Sequence, residues 1–146
     1  MKIELFTLCD AATDSGGKLN ILGSFDHISA KEIPAIHPFC AIAIKIRFAR
    51  IEEGNHRLKI TVADADGKLV IPGLDASLAI RFGSEETVAA NVVMLIQKIK
   101  IEQFGEYTID LAIDGRQEGS IPLYVLQRKK DAQGPVRPEC FDPNGL

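Results

Sequence analysis

"AIAIKIRFAR", residues 41–50, alternates with a period of two. Ile42, Ile44, Ile46 and Phe48 fall on one side of an extended chain, and Ala43, Lys45 and Arg47 on the other. Successive side chains of a strand point to opposite faces, so this pattern predicts one buried and one wet face, as in antiparallel sheets. The period returns in "RLKITVAD" (57–64) with Leu58, Ile60 and Val62, and in "SLAIRF" (77–82) with Leu78, Ile80 and Phe82. It returns again in "EYTIDLAID" (106–114) with Tyr107, Ile109, Leu111 and Ile113. No segment carries a clear helical period. The nearest is "VAANVVMLIQKIKI" (88–101), whose run from Val92 to Ile96 is continuously apolar. Its β-branched content favours a strand covered on both faces, and the pattern alone leaves a helix open.

Turn signals separate the apolar runs. "DSGGK" (14–18), "EEGNH" (52–56), "DADGK" (64–68) and "IDGRQEG" (113–119) all contain glycine. Asp66-Gly67 and Asp114-Gly115 are the dipeptides that two-residue hairpins favour, because type I′ turns need positive φ at both central positions. "IPG" (71–73) breaks the following region. Pro122 marks an edge strand, since proline donates nothing to a ladder. The expected strands are 2–9, 18–31 (bent or bulged near Gly23), 39–49, 56–64, 68–82 (broken at Pro72-Gly73), 87–100, 105–114 and 119–126. About eight short strands punctuated by turns predict an all-β fold, a two-sheet antiparallel β-sandwich of immunoglobulin-like type. Tyr107, opening a late strand after Gly105, is the expected corner tyrosine whose hydroxyl caps backbone. There is no Trp, and no Cys–Trp–Cys pattern accompanies it. Residues 1–126 form the domain. Residues 127–146, with three prolines and no periodicity, are expected to be a flexible or surface-lying tail.

The chain's 146 residues suffice for one domain with a real core. Its net charge of -3 is a poor footprint for nucleic acid, which calls for a basic face. The one dense basic run, Arg128, Lys129 and Lys130, reads as a solvated flank. No stretch approaches the ~20 apolar residues of a membrane helix. The N-terminal apolar run is interrupted by Glu4 and too short for a signal peptide, and Leu8-Cys9 lacks the hydrophobic segment of a lipoprotein site. The expectation is a cytoplasmic protein that engages neither membrane nor nucleic acid. Cys9, Cys40 and Cys140, an odd count without repeated spacing, are expected to be free thiols.

"LFTLCDAA", "GKLNILGSFDHISA", the Pro34, His37, Pro38 spacer of "IPAIHPFCAIAIKIRF", and "GEYTIDLAIDG" with "PLYV" follow one another in a characteristic order. Over residues 2 to about 126 the chain resembles a family of small bacterial proteins known only as a domain of unknown function. The resemblance implies an all-β domain in a bacterium. It carries no activity, cofactor or catalytic residue.

Few residues suggest chemistry. Ser24, Asp26 and His27 are triad residue types, but on a strand His27 points away from the other two, and no nucleophile elbow is present. Cys9, Asp10, His27, His37, Cys40 and His56 could be metal ligands, but none falls in a C-x-x-C or H-x-x-x-H spacing. Asp64, Asp66, Asp110 and Asp114 could gather around Ca²⁺, yet "DADGK" lacks the later ligands of an EF-hand loop. "DSGGK" lacks the spacing of a phosphate loop. No catalytic residue, metal site or cofactor is therefore assigned. The leading expectation is a non-enzymatic binding or assembly module that engages a protein partner or itself. Apolar residues on both faces support it: Phe6 and Leu8 oppose Ile3 and Leu5, and Val93 and Leu95 oppose Val92, Met94 and Ile96. The outer apolar face needs a cover, whether tail, second copy or partner. The alternative is a small-molecule or metal-binding domain, an enzyme included, with its site in the loops at one end. Its candidate residues are Asp10, His56, Asp64, Asp66, Asp114 and Arg116.

Overall fold

A computed structural model describes residues 1–129. Nine strands follow one another: β1 (Lys2–Ser15), β2 (Lys18–Ser24), β3 (His27–Ala30), β4 (Ala35–Ala49), β5 (Gly54–Ala63), β6 (Leu74–Ile80), β7 (Thr87–Ile101), β8 (Gly105–Ile113) and β9 (Arg116–Gln127). A 3-10 turn, Arg50–Glu52, links β4 to β5, and no α-helix occurs among the described residues. The strands form two sheets, ordered β2-β1-β4-β7 and β3-β9-β8-β5-β6. All neighbours are antiparallel except β3 and β9.

The alternating faces build one core between the sheets. Ile42, Ile44, Ile46 and Phe48 of β4 are fully buried, facing Leu58 and Ile60 of β5 and Ile109, Leu111 and Ile113 of β8. Burying each such side chain contributes roughly 1.5–3 kcal/mol. The fold is therefore all-β in two sheets, as the period-two pattern predicts.

The boundaries differ in four places, and the second of them makes nine strands rather than eight. First, β1 runs on through Asp10 to Ser15, residues expected as turn. Only Gly16 and Gly17, at φ 57° and 80°, make the turn, because the polar side chains of 10–15 are tolerated on a strand that overhangs the sheet. Second, 18–31 is two strands in different sheets. The chain leaves β1 at Ser24, Phe25 N–H donates to Leu8 O at 2.9 Å, and Tyr124 N–H donates to Asp26 O at 2.8 Å. Gly23, at φ 67°, makes this departure possible; a Cβ there would collide with the Asp10 carboxylate.

Third, of 68–82 only Leu74–Ile80 is strand. The Asp66-Gly67 turn closes with Asp64 N–H donating to Lys68 O at 2.9 Å, but the return holds only one bridge, Ala63 with Leu69, before Pro72 ends it. Fourth, 88–101 is strand throughout and shifts phase in its middle. Gln97 and Lys98 are both exposed, Lys98 has φ 55°, and Ile99 and Ile101 then return to the core. The shift lies opposite Pro38, between the pairs Phe39–Gln97 and His37–Ile99. It blurs the period that would have identified the strand.

Ala43, expected on the wet face of β4, is fully buried, and so is Ala41. The β1–β2 hairpin covers them: Ala12, Leu19 and Ile21 pack on Cys9, Ala41 and Ala43, and Asn91 Nδ2 of β7 donates to Gly17 O at the hairpin tip at 3.1 Å. Small side chains on β4 let the hairpin lie close. A bulge between Ile3 and Leu5 puts Ile3 in the core with Phe6 and Leu8 instead of opposite them. Part of the cover expected from tail or partner is thus the chain itself. Pro122, expected on an edge strand, instead lies on β9, an inner strand between β8 and β3, just before the Tyr124–Gln127 stretch that β3 covers. Tyr124 N–H points away from β8, so the nitrogen of Pro122, two residues earlier, faces the same open side and costs no ladder bond. Cys140 and the rest of 130–146 lie outside the described residues.

Candidate functional site

The six expected site residues do not converge. His56 lies near the start of β5 and Asp64 just past its end, about 26 Å apart at a strand rise of ~3.3 Å. Asp10 belongs to the other sheet, in β1. His56 and Asp114 do meet. The Asp114-Gly115 turn joins β8 to β9 with φ 51° and 81°, and Leu58 pairs with Ile113, so β5 carries His56 alongside the turn. His56 Nδ1 lies 2.6 Å from Asp114 Oδ2, and Nε2 lies 2.6 Å from Glu52 O. Asp114 Oδ1 accepts from Arg57 N–H at 2.9 Å. Arg116, two residues on, is exposed and makes no side-chain bond among the described residues.

A carbonyl and an ionised carboxylate only accept, so His56 bonds both at once only as an imidazolium, with a proton on each nitrogen. The Glu52 carbonyl raises its pKa, burial opposes it, and Asp114 raises it further. Asp114 is held below the usual carboxylate range by the Arg57 N–H and then by His56. Phe48 stacks beside the ring, centroids 4.9 Å apart. Neither nitrogen is open to a substrate proton, so the pair is a clasp between β5 and the β8–β9 turn rather than a general base.

Asp64 and Asp66 border a cleft of about 280 Å³ with Lys68, Lys100, Glu102 and Tyr107. Several of its polar groups bond nearby backbone or pair loosely with one another. Asp64 Oδ1 accepts from the N–H groups of Asp66 and Lys68, both at 2.9 Å. Glu102 lies 3.4 Å from Lys100 and 3.9 Å from Lys68. Tyr107 hydroxyl donates to Gln103 O at 2.7 Å and accepts from Gln103 N–H at 3.3 Å, the expected corner role.

The expectation that His27 points away from both Ser24 and Asp26 fails for Asp26, because residues 25–26 lie between β2 and β3 and not on a strand. Asp26 Oδ1 lies 3.1 Å from His27 Nδ1, while Ser24 Oγ bonds Thr7 Oγ1 instead of the imidazole. Cys9 and Cys40 are free and fully buried. Burial, then Asp10, raises the Cys9 thiol pKa; burial, then Cys9 and Asp10, pushes Cys40 up to about 11. Both stay protonated at neutral pH and are poor nucleophiles or ligands. Among the described residues, no three His, Cys, Asp or Glu side chains gather as a metal site. No helix is long and apolar enough to cross a membrane.

One feature was not singled out from the residues. β7 is the last strand of its sheet, 15 residues long, and among the described residues no strand pairs with its outer edge. Over 88–96 it holds neither charge nor proline, the usual guards of an edge. The other sheet-end strands, β2, β3 and β6, have seven, four and seven residues. The signal was legible as an uncharged apolar run, but its place at an edge depends on strand order.

A family model described as a family of unknown function, DUF6941, matches residues 4–126. The chain belongs to this family. The match takes in every strand but the extreme ends of β1 and β9, and so includes the His56 clasp, the Tyr107 cleft and the β7 edge. No curated protein matches this DUF6941 chain. A solved structure, the Pseudomonas fluorescens alkylpurine DNA glycosylase AlkC bound to DNA containing an abasic site analog, is similar at 7% identity and a TM-score of 0.44. The alignment covers 83% of this chain and 30% of that one, so the chain spans under a third of the glycosylase's length. Likeness at that level carries no argument about activity.

Proposed function

We propose that this DUF6941 chain is a non-enzymatic assembly module that engages protein along the open β7 edge of its four-stranded sheet. The observation that carries this is the edge itself. Nine residues, 88–96, offer roughly 30 Å of backbone without charge or proline. Added strands bind such edges through main-chain hydrogen bonds. Leu95 stands beside it, 55% exposed, and Phe39, two residues from Leu95's ladder partner Ala41, is 40% exposed. The cleft beside Tyr107 supports a small-molecule reading less, because the Asp64 carboxylate and the Tyr107 hydroxyl are already bonded to backbone.

The finer reading of the fold is an immunoglobulin-like sandwich. In its support, β1-β4-β7 and β9-β8-β5-β6 follow the order of strands A-B-E and G-F-C-C′, and Tyr107 makes the corner bond. On that reading no strand D separates β6 from β7, which leaves β7 at the edge. Two buried free thiols suit a cytoplasmic location.

The test is a photo-crosslinking amino acid placed at Leu95, or at exposed Lys59 of β5 as control, in cells producing the chain. Protein adducts at Leu95 and none at Lys59 are expected. No adduct at Leu95, or equal adducts at both, would overturn the reading.

A further inference from the structure

We infer that the β1–β2 hairpin, from Asp10 to Gly23, is a strap that opens as one unit while the core between the sheets stays shut, baring the Cys9 thiol and the Ala41–Ala43 face of β4. The inference goes beyond the assembly reading and does not rest on it. The observation that carries it is how little ties the hairpin down. Cys9 with Ala41 is the last pair of β1 with β4, and from Ala11 on β1 pairs only with β2. The hairpin's own ladder therefore moves with it and gives no hold on the sheet beneath. Among the described residues one hydrogen bond crosses from residues 10–23 to β4 or β7, Asn91 Nδ2 to Gly17 O at 3.1 Å, and no ion pair does.

The packing under the strap is slight. Ala12, Leu19 and Ile21 rest on a small cluster in which only Cys9, Ala41 and Ala43 are fully buried, whereas the core between the sheets is built of isoleucines, leucines and Phe48. Burial stabilises in proportion to apolar area, so this seam is the weaker of the two. The tip contact is itself incomplete. Asn91 Oδ1 is buried without a partner while the strap is closed, and opening admits water to it. The base is firm by contrast: Phe25 N–H donates to Leu8 O at 2.9 Å, and the Thr7 and Ser24 hydroxyls bond each other. A weak tip and seam on a firm base make a hinged element, and elements with little buried apolar surface open at lower free energy than the whole. The face beneath adjoins exposed Leu95, the ladder partner of Ala41, so opening enlarges the apolar surface beside β7.

The two buried thiols report the two openings separately, since Cys9 lies under the strap and Cys40 in the main core. In the full chain carrying Cys140→Ser, alkylation of each thiol is followed by peptide mass spectrometry at several urea concentrations below the unfolding transition, and again with Asn91→Ala added. Far-UV circular dichroism checks that each chain folds. The expected result is Cys9 labelling roughly tenfold faster than Cys40 in native buffer, though far slower than in denaturant, with a shallower rise in urea because that slope follows the surface exposed. Asn91→Ala should raise the ratio of the Cys9 rate to the Cys40 rate by about threefold or more, because it frees the tip alone. Equal rates and equal urea slopes for the two thiols, as when only global unfolding exposes Cys9, would overturn the inference. So would a folded Asn91→Ala chain whose ratio is unchanged. Should that variant fail to fold, the comparison of the two thiols without it decides alone.

Discussion

His56 and Asp114 are 58 residues apart in sequence and 2.6 Å apart in space. Their contact ties the start of β5 to the hairpin that joins β8 to β9, with Glu52 O holding the other ring nitrogen. Since both acceptors require a proton from the ring, the clasp exists in full only while His56 is charged.

A pH dependence follows. The folded pKa of His56 is raised, so its contribution is complete below the unfolded value of about 6.5 and is lost as pH rises through the folded value. Asp114 has the opposite sign: its contribution is present above about 3.9 and is lost as pH falls through its lowered folded value. The melting temperature should therefore decline on the alkaline side of the His56 titration. His56→Gln should remove that decline and cost about 1–2 kcal/mol at mildly acidic pH, the figure discounted for the partial exposure of Asp114. Thermal melts of both proteins across the titration check this. An unchanged alkaline slope in the variant would contradict it.

The two described thiols should be inert in the native state. Cys9 and Cys40 are fully buried, with raised pKa values. In a Cys140→Ser background, labelling by a chromogenic disulfide reagent should proceed only as fast as the protein opens, and completely in denaturant. Rapid native labelling of either thiol would contradict the packing described.

Ala43 should resist enlargement. It lies fully buried beneath the β1–β2 hairpin, in a cluster with Cys9 and Ala41. Ala43→Leu should destabilise by roughly 1–3 kcal/mol through overpacking and lift the hairpin. Urea titration measures the first effect. Faster amide exchange near Leu19 and Ile21 measures the second. A neutral substitution would show that the cover is loose.

Tyr107→Phe should cost about 1 kcal/mol by leaving Gln103 O without its donor, with no effect on assembly, because the corner lies in the other sheet. Denaturant melts and sedimentation together separate the two effects. A loss of assembly would place the interface elsewhere.

The layers of the fold were legible because alternation at 42–48, 58–62 and 107–113 directly encodes which face is buried. What escaped was anything that required knowing which strands are neighbours. Ala43 looked solvent-facing because no local pattern foretells that a hairpin will fold back over β4. The split of 18–31 hinged on a departure at Gly23 and Phe25, where the chain changes sheet without a strong breaker. The 88–101 run stayed ambiguous because the phase shift at Lys98, opposite Pro38, interrupts its period. Of the candidate residues, His56 and Asp114 are bonded to each other as a clasp between β5 and the β8–β9 turn, a contact between residues 58 apart that no local pattern foretells. Asp64 spends its carboxylate within its own turn, Asp66 gives that turn its backbone N–H, and Asp10 lies in the other sheet. The β7 edge was visible as composition but not as an edge.

The account turns on whether β7 is paired in solution. Hydrogen exchange, measured by mass spectrometry on the free chain and on the protein adduct formed at Leu95, addresses this most directly. The prediction is that amides within 88–96 gain protection in the adduct, while the β6 edge does not change. Exchange in 88–96 that is the same in both would contradict it.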